Sequence, residues 1–183
     1  PSTVEHLQTS WERLRHNRRF KSIVKGYFKA LEVTHTDIIN DTYHPHYHCI
    51  IAVNNSYFTD KQYLNQREWT FIWQDALQCD YTPIVDVRKC KPKELIQDGD
   101  KAVKSIASAV AEASKYSVKS ADYIITDDEQ RTDEAVNALG SALSGRRLCS
   151  FGGVFEDIRK KLKLDDKVIK YLPDFKMKDE WVT

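Results

Sequence analysis

Two β-rich runs separated by a turn-forming stretch constrain this chain most. The run "GYFKALEVTH" (26–35) alternates in hydropathy and is rich in β-formers, and "HYHCIIAVN" (46–54) is a second such run. Between them, "TDIINDTYHP" (36–45) carries Asp, Asn, Thr and Pro and reads as a loop. Residues 26–54 therefore predict a long-looped antiparallel hairpin. Helices are expected around it. Residues 3–16 can be capped by Ser2 or Thr3, and Val4, Leu7, Trp11 and Leu14 recur at helical spacing. A second helix is expected over 59–78, opened by Thr59, with Tyr63, Trp69, Trp73 and Leu77 on it. "TPIVDVRKC" (82–90) predicts a third strand, and residues 100–118 a helix capped by Asp98 or Asp100. A loop holding "TDDEQRTDE" then leads to a helix over 133–144, stopped by Gly145, and to a last short helix over 150–166. The class is α+β, a central antiparallel sheet with helices packed on it. No repeat or linker divides residues 1–183, so one domain is expected.

Composition limits the function classes. Hydrophobic residues make up 41% and charged residues 30% of the 183 residues, the balance of a folded globular chain. A formal net charge of +1 excludes a blanket electrostatic grip on nucleic acid but leaves local patches open. The run 13–29 holds Arg13, Arg15, Arg18, Arg19, Lys21, Lys25 and Lys29 with no acid. It reads first as a solvated helix face. Its aromatics, Phe20, Tyr27 and Phe28, make a nucleic-acid surface the second reading, with Arg18, Arg19 and Lys21 as DNA contacts. The cysteines at 49, 79, 90 and 149 form no CxxC pair, which points to a reducing, cytoplasmic setting, with Cys49 in the core. No apolar run is long enough for a membrane span, and no secretory signal is visible. The chain opens at "PSTVEHLQTSW" without an initiator Met, so residues upstream are expected to be missing.

The second run of the hairpin starts within "YHPHYHCIIAV" (43–53), where His44, His46 and His48 occupy alternate positions. Residues two apart on a strand share a face, so His46 and His48 can act as a pincer for a divalent ion. With the loop centred near residue 40, Glu32 falls opposite His48 and Thr34 opposite His46. Two histidines and one carboxylate make a ligand set that leaves positions open for water and substrate. The plainer reading is a pair of ordinary strand histidines; the opposed Glu32 favours the metal. His44 is the alternative ligand, and HExxH is absent.

A second constellation lies in "SIASAVAEASKYSVKSADY" (105–123). At about 100° per residue, Glu112, Tyr116 and Lys119 share one helical stripe, away from Val103, Ile106 and Val110. On the helix pattern alone this is an exposed Glu–Tyr pair with a solvated lysine. Beside a metal site it becomes chemistry. A tyrosine, with an ordinary pKa near ~10, becomes a useful nucleophile when a metal activates a phosphodiester. The lysine can offset charge, and the carboxylate can activate a water.

Together "EVTHTDIINDTYHPHYHCIIAV", "EASKYSVKSADY" and "GRRLCSFGGVF" (145–155) resemble the signature segments of rolling-circle plasmid replication initiators of the HUH endonuclease superfamily. The resemblance is to the Gram-positive plasmid type, with one catalytic Tyr preceded by a Glu. It implies an HUH nuclease-like fold that nicks one strand at a plasmid double-strand origin, single-stranded at the nick. Tyr116 would form a 5′-phosphotyrosyl link, Glu112 would activate the water that ends the round, and Lys119 would assist. His46 and His48 would bind Mg²⁺ or Mn²⁺. A host helicase and replication proteins are the implied partners, with no membrane. The family's "FLTLT" strand motif is absent, which leaves either a shortened chain or a sheet short of one N-terminal strand. Single-tyrosine transposases and mobilisation relaxases share the chemistry, and Glu112 favours the initiator over them. A non-catalytic DNA-binding module, with structural histidines, is the reading from another class.

Overall fold

The computed structural model describes residues 3–37, 42–89 and 128–161. Helix α1 (Thr3–His16) buries Val4, Leu7, Ser10, Trp11 and Leu14, the stripe its spacing predicts. The Ser10 hydroxyl does not interrupt that stripe, because it donates to the His6 carbonyl at 2.8 Å. Asn17 ends α1 and starts α2 (Arg18–Ile23): its side chain accepts from the Arg19 and Phe20 backbone N–H groups.

Strand β1 (Val24–Asp37) pairs antiparallel with β2 (Thr42–Val53) on one side and with β3 (Cys149–Gly153) on the other, giving the order β2-β1-β3. The hairpin is longer than the sequence suggests. β1 continues to Asp37 and β2 begins at Thr42, where a loop over 36–45 was expected. Pro45 is tolerated within β2, across from Val33, because β2 borders the sheet among the described residues.

The sheet has two differently covered faces. Tyr27, Leu31 and Val33 of β1, with Tyr47, Ile51 and Val53 of β2, point toward α1, α2, α3 (Gln66–Leu77) and α4 (Glu129–Leu143). There Trp11 is the hub, meeting Phe20, Tyr27 and Tyr47 edge to face with centroids 6.0, 5.0 and 5.7 Å apart. The opposite face carries Phe28, Ala30, Ile50, Ala52, Cys149 and Phe151, covered among the described residues by Phe155 of α5 (Val154–Lys161). Its far end carries the candidate site.

Several expectations need correction. Helix α3 starts at Gln66 and not at Thr59, because Asn65 and Glu68 form a reciprocal capping box there. The preceding residues make a 3-10 turn (Asn55–Phe58), pinned where the Tyr57 hydroxyl meets the Leu64 backbone and the Trp69 indole. Residues 82–89 form no strand. Ile84 is 97% exposed, and the segment is tethered to α3 by Gln66 and Gln74 amides bonding to the Val85 and Tyr81 carbonyls. The acidic stretch read as a loop opens α4, since Asp128 caps the helix by accepting from the Arg131 N–H. The segment from Cys149 to Gly153 is a strand, where a helix was expected from residue 150. Cys49, expected in the core, is exposed. The helix expected over 100–118 lies outside the described residues.

Candidate metal centre

Period-two alternation places Glu32 on the same face of β1 as Phe28 and Ala30, and His46 and His48 on the matching face of β2. The register pairs Glu32 with His46, Ala30 with His48 and Thr34 with His44. This differs from the expected pairing of Glu32 with His48 by two residues: the described pairs run from Asp37–Thr42 back to Glu32–His46, with an irregularity between His35 and Asp37. A shift of two preserves the face, so the same three side chains still converge. The small Ala30 across from His48 leaves room for its imidazole to lean toward Glu32.

Glu32 Oε2 lies 2.9 Å from His46 Nε2 and also contacts His48 Nε2. The ligand atoms of Glu32, His46 and His48 all lie within 4.8 Å of one another, and no other described group of three such residues meets in this way. Glu32 is buried, His46 is half-buried and His48 is exposed, so the cluster has a closed floor and an open mouth. The other ring nitrogen of His46, Nδ1, sits 3.2 Å from the His44 carbonyl oxygen. A carbonyl only accepts, so Nδ1 carries a proton there and Nε2 is the atom that faces the carboxylate. With an acceptor at both nitrogens, His46 is satisfied either as an imidazolium or with Nε2 on a cation. The donor set of two imidazoles and a carboxylate fits the second state. His44 belongs to the cluster by stacking on the His46 ring, with centroids 5.3 Å apart.

Of the expected DNA contacts, Arg18 and Lys21 are exposed, whereas Arg19 is held by Glu68 at 2.7 Å. Elsewhere in the basic run, Arg13 donates to the Ala76 carbonyl and Arg15 pairs with Glu12. Phe20, Tyr27 and Phe28 are buried, so they do not form a stacking surface for bases. Tyr116, Glu112 and Lys119 lie outside the described residues. A cleft of about 320 Å³ between the ends of α1 and α3, lined by Arg13, His16 and Asp75 among others, touches none of the three candidate ligands.

Lys29 is a residue the sequence reading passed over as one charge in a basic run. It is buried on the helix-covered face, its ammonium 4.1 Å from the Tyr47 ring centroid and 5.2 Å from that of Trp11. Burial lowers its pKa to about 8. Its position between Tyr27 and Leu31 in the alternation was the available signal.

Two imidazoles and a carboxylate at the open end of an antiparallel sheet define an α+β protein with a candidate metal centre. Comparison with known proteins gives its family: the family described as Replication protein matches residues 1–180, and the chain belongs to it. It is 38% identical over 172 residues to "Protein rep" of Bacillus amyloliquefaciens, an alignment covering 89% of this chain and 49% of that protein. It is 39% identical to "Protein rep" of Lentilactobacillus hilgardii, covering 77% of this chain and 43% of that one. It is 33% identical to a "Replication protein" of Staphylococcus aureus, covering 90% and 67%. The chain spans about half the length of the first of these relatives. No solved structure gives a significant match. Among the described residues, no helix is long and apolar enough to cross a membrane.

Proposed function

We propose that this chain carries the nicking activity of a rolling-circle plasmid replication initiator of the HUH type. The observation that supports it best is the convergence of Glu32, His46 and His48 on the open sheet face of a replication-family chain. In this reading the three residues hold Mg²⁺ or Mn²⁺. The bound ion would polarise a non-bridging oxygen of the scissile phosphate. Glu32 anchors the floor of the site, and the His44 carbonyl fixes the ring of His46.

Tyr116 is the nucleophile. Its phenol gives up its proton as the oxygen bonds to phosphorus, the bond from phosphorus to the 3′ oxygen breaks, and that oxygen takes up a proton to leave as a 3′-OH. The 5′ phosphate stays on Tyr116 as a phosphodiester. Lys119 offsets the charge gathered on the phosphate and phenolate. At the end of a round a water takes the place of Tyr116 as nucleophile: Glu112 accepts its proton, the water oxygen bonds to phosphorus, the bond from phosphorus to the 3′ oxygen breaks, and that oxygen takes up a proton and leaves as a 3′-OH. The substrate is plasmid origin DNA, single-stranded at the nick, with a host helicase and replication proteins acting downstream in the cytoplasm.

The test is to incubate the chain with a random-sequence, end-labelled single-stranded DNA library and Mn²⁺, then resolve it under denaturing conditions. A DNA–protein adduct that requires the ion, and whose linked peptide contains Tyr116, is the expected result. Metal-independent DNA binding without an adduct would instead establish a non-catalytic DNA-binding module.

A further inference from the structure

We infer that Arg147, just ahead of β3, is a phosphate-positioning residue beside the Glu32–His46–His48 cluster. This rests on the nicking reading above. The β1–β3 register pairs Phe28 with Phe151 and Ala30 with Cys149. The pairing continues one residue further, where the Leu31 N–H donates to the Leu148 carbonyl at 2.7 Å. Extended by one step, this register brings Arg147, which precedes β3, level with Glu32. Side-chain direction follows from its neighbours. Leu148 packs in the cluster of Leu31 and Val33 on the helix-covered face, and Arg146 reaches the same side, donating to Gln8 of α1 at 2.9 Å. Cys149 packs on the opposite face with Phe28 and Ala30. Arg147 lies between Arg146 and Leu148, both on the helix-covered side, so the alternation of β3 carried back to it assigns its side chain to the face of the metal cluster.

Adjacent strand positions lie ~4.8 Å apart, well within the reach of an arginine side chain. β1 thus holds Glu32 between His46 on one side and Arg147 on the other. Arg147 is exposed and makes no hydrogen bond or ion pair among the described residues. Its charge is therefore not consumed within the fold as those of Arg15, Arg19 and Arg159 are. A guanidinium presents a planar fork that matches two phosphate oxygens. Beside a cation held by three ligands, it would grip the oxygen that the cation leaves free and fix the phosphate for in-line attack. The ligand class is a nucleic-acid phosphodiester.

The experiment compares the 183-residue chain with Arg147→Ala and Arg147→Lys in two assays. One is anisotropy of a fluorescent mixed-sequence single-stranded oligonucleotide across a salt series. The other is the rate and DNA-concentration dependence of the Mn²⁺-dependent adduct. Arg147→Ala is expected to weaken binding about tenfold and to reduce the salt slope by about one. It is also expected to lower adduct formation beyond that binding loss, while Mn²⁺ affinity stays unchanged. Arg147→Lys should restore the salt slope but not the adduct rate, since it keeps the charge and loses the fork. Unchanged binding and adduct kinetics in Arg147→Ala would overturn the inference and leave the nicking reading standing. If the parent chain forms no adduct but Arg147→Ala still loses affinity and slope, the nicking reading falls and the phosphate contact stands.

Discussion

Glu32 and His46 face each other directly across the β1–β2 pair, with Glu32 Oε2 2.9 Å from His46 Nε2. The contact joins β1 to β2, which borders the sheet among the described residues, beyond the part of the face covered by Phe155. A carboxylate buried at this position needs partners nearby, and His46 and His48 are the ones the described residues place there.

Lys29 sets a pH dependence of stability. Its pKa is lowered from 10.5 to about 8, chiefly by burial. Below pH 8 both folded and unfolded chains hold the proton, and the full cost of the buried charge is present. As pH rises from 8 toward 10, the folded chain releases that proton while the unfolded chain keeps it, so stability increases, by a few kcal/mol at most. Tyr47, whose pKa burial pushes upward, works the other way only above its ordinary value of 10.0. Urea titrations between pH 7 and 9 are expected to show the rise in the parent chain and none in Lys29→Met, since above pH 9 Cys49, across from Lys29 with its thiol pKa pushed up, works the other way. The same substitution should stabilise the chain at pH 7 by about 1–2 kcal/mol, burial relief exceeding the lost cation–π contacts. A rise that persists in Lys29→Met assigns it to another group.

Gly153 holds β3 against β1. Its φ of 56° is unfavourable for residues with a Cβ, and a Cβ there would lie 2.1 Å from the Lys25 carbonyl oxygen. Gly153→Ala is expected to cost about 2–4 kcal/mol in denaturant unfolding. Gly140→Ala, where nothing lies within 4 Å, should be neutral or slightly stabilising. Equal midpoints for the two variants would contradict this account of the β1–β3 pair.

The hairpin and its cluster were legible because both depend on period two. The sequence misjudged the register by two residues, and the facing of Glu32, His46 and His48 survived that error. The third strand was hidden for the opposite reason. It is five residues long and ends in Gly152 and Gly153, which carry no side-chain pattern to mark a strand but are required because the backbone and ring of β1 approach too closely for a Cβ. "TPIVDVRKC" has strand composition, yet its described residues lie along α3 without pairing, and composition alone carries no information about a partner. The start of α3 was misplaced because Thr59 and Asn65 are both plausible caps, and only Asn65 has a Glu three residues on.

Within the basic run, the three expected DNA contacts should separate. Arg18→Ala and Lys21→Ala are each expected to weaken binding to all single-stranded sequences and to lower the salt slope by about one. Arg19→Ala should change the slope less, because Glu68 already neutralises it at 2.7 Å. Its loss should leave the midpoint of denaturant unfolding nearly unchanged, as for an exposed pair. Anisotropy over a salt series measures all three; equal slopes in the three variants would show that the Glu68 pair opens on DNA.

Tyr116 and Glu112 should separate in time. Tyr116→Phe keeps the ring but removes the attacking oxygen, so the adduct is expected to vanish with Mn²⁺ binding intact. Glu112→Ala should still form the adduct and release it slowly, since only the hydrolytic step needs that base. An adduct that survives in Tyr116→Phe, or a linked peptide that lacks Tyr116, moves the nucleophile elsewhere.

The central claim is that Glu32, His46 and His48 bind a divalent ion, and Mn²⁺ titration calorimetry tests it most directly. The parent chain is expected to bind one Mn²⁺. The His46→Ala/His48→Ala double variant should lose measurable binding, and Glu32→Gln should lose at least about a hundredfold in affinity. Circular dichroism should confirm that each variant stays folded. Undiminished Mn²⁺ binding by the folded double variant would contradict the account.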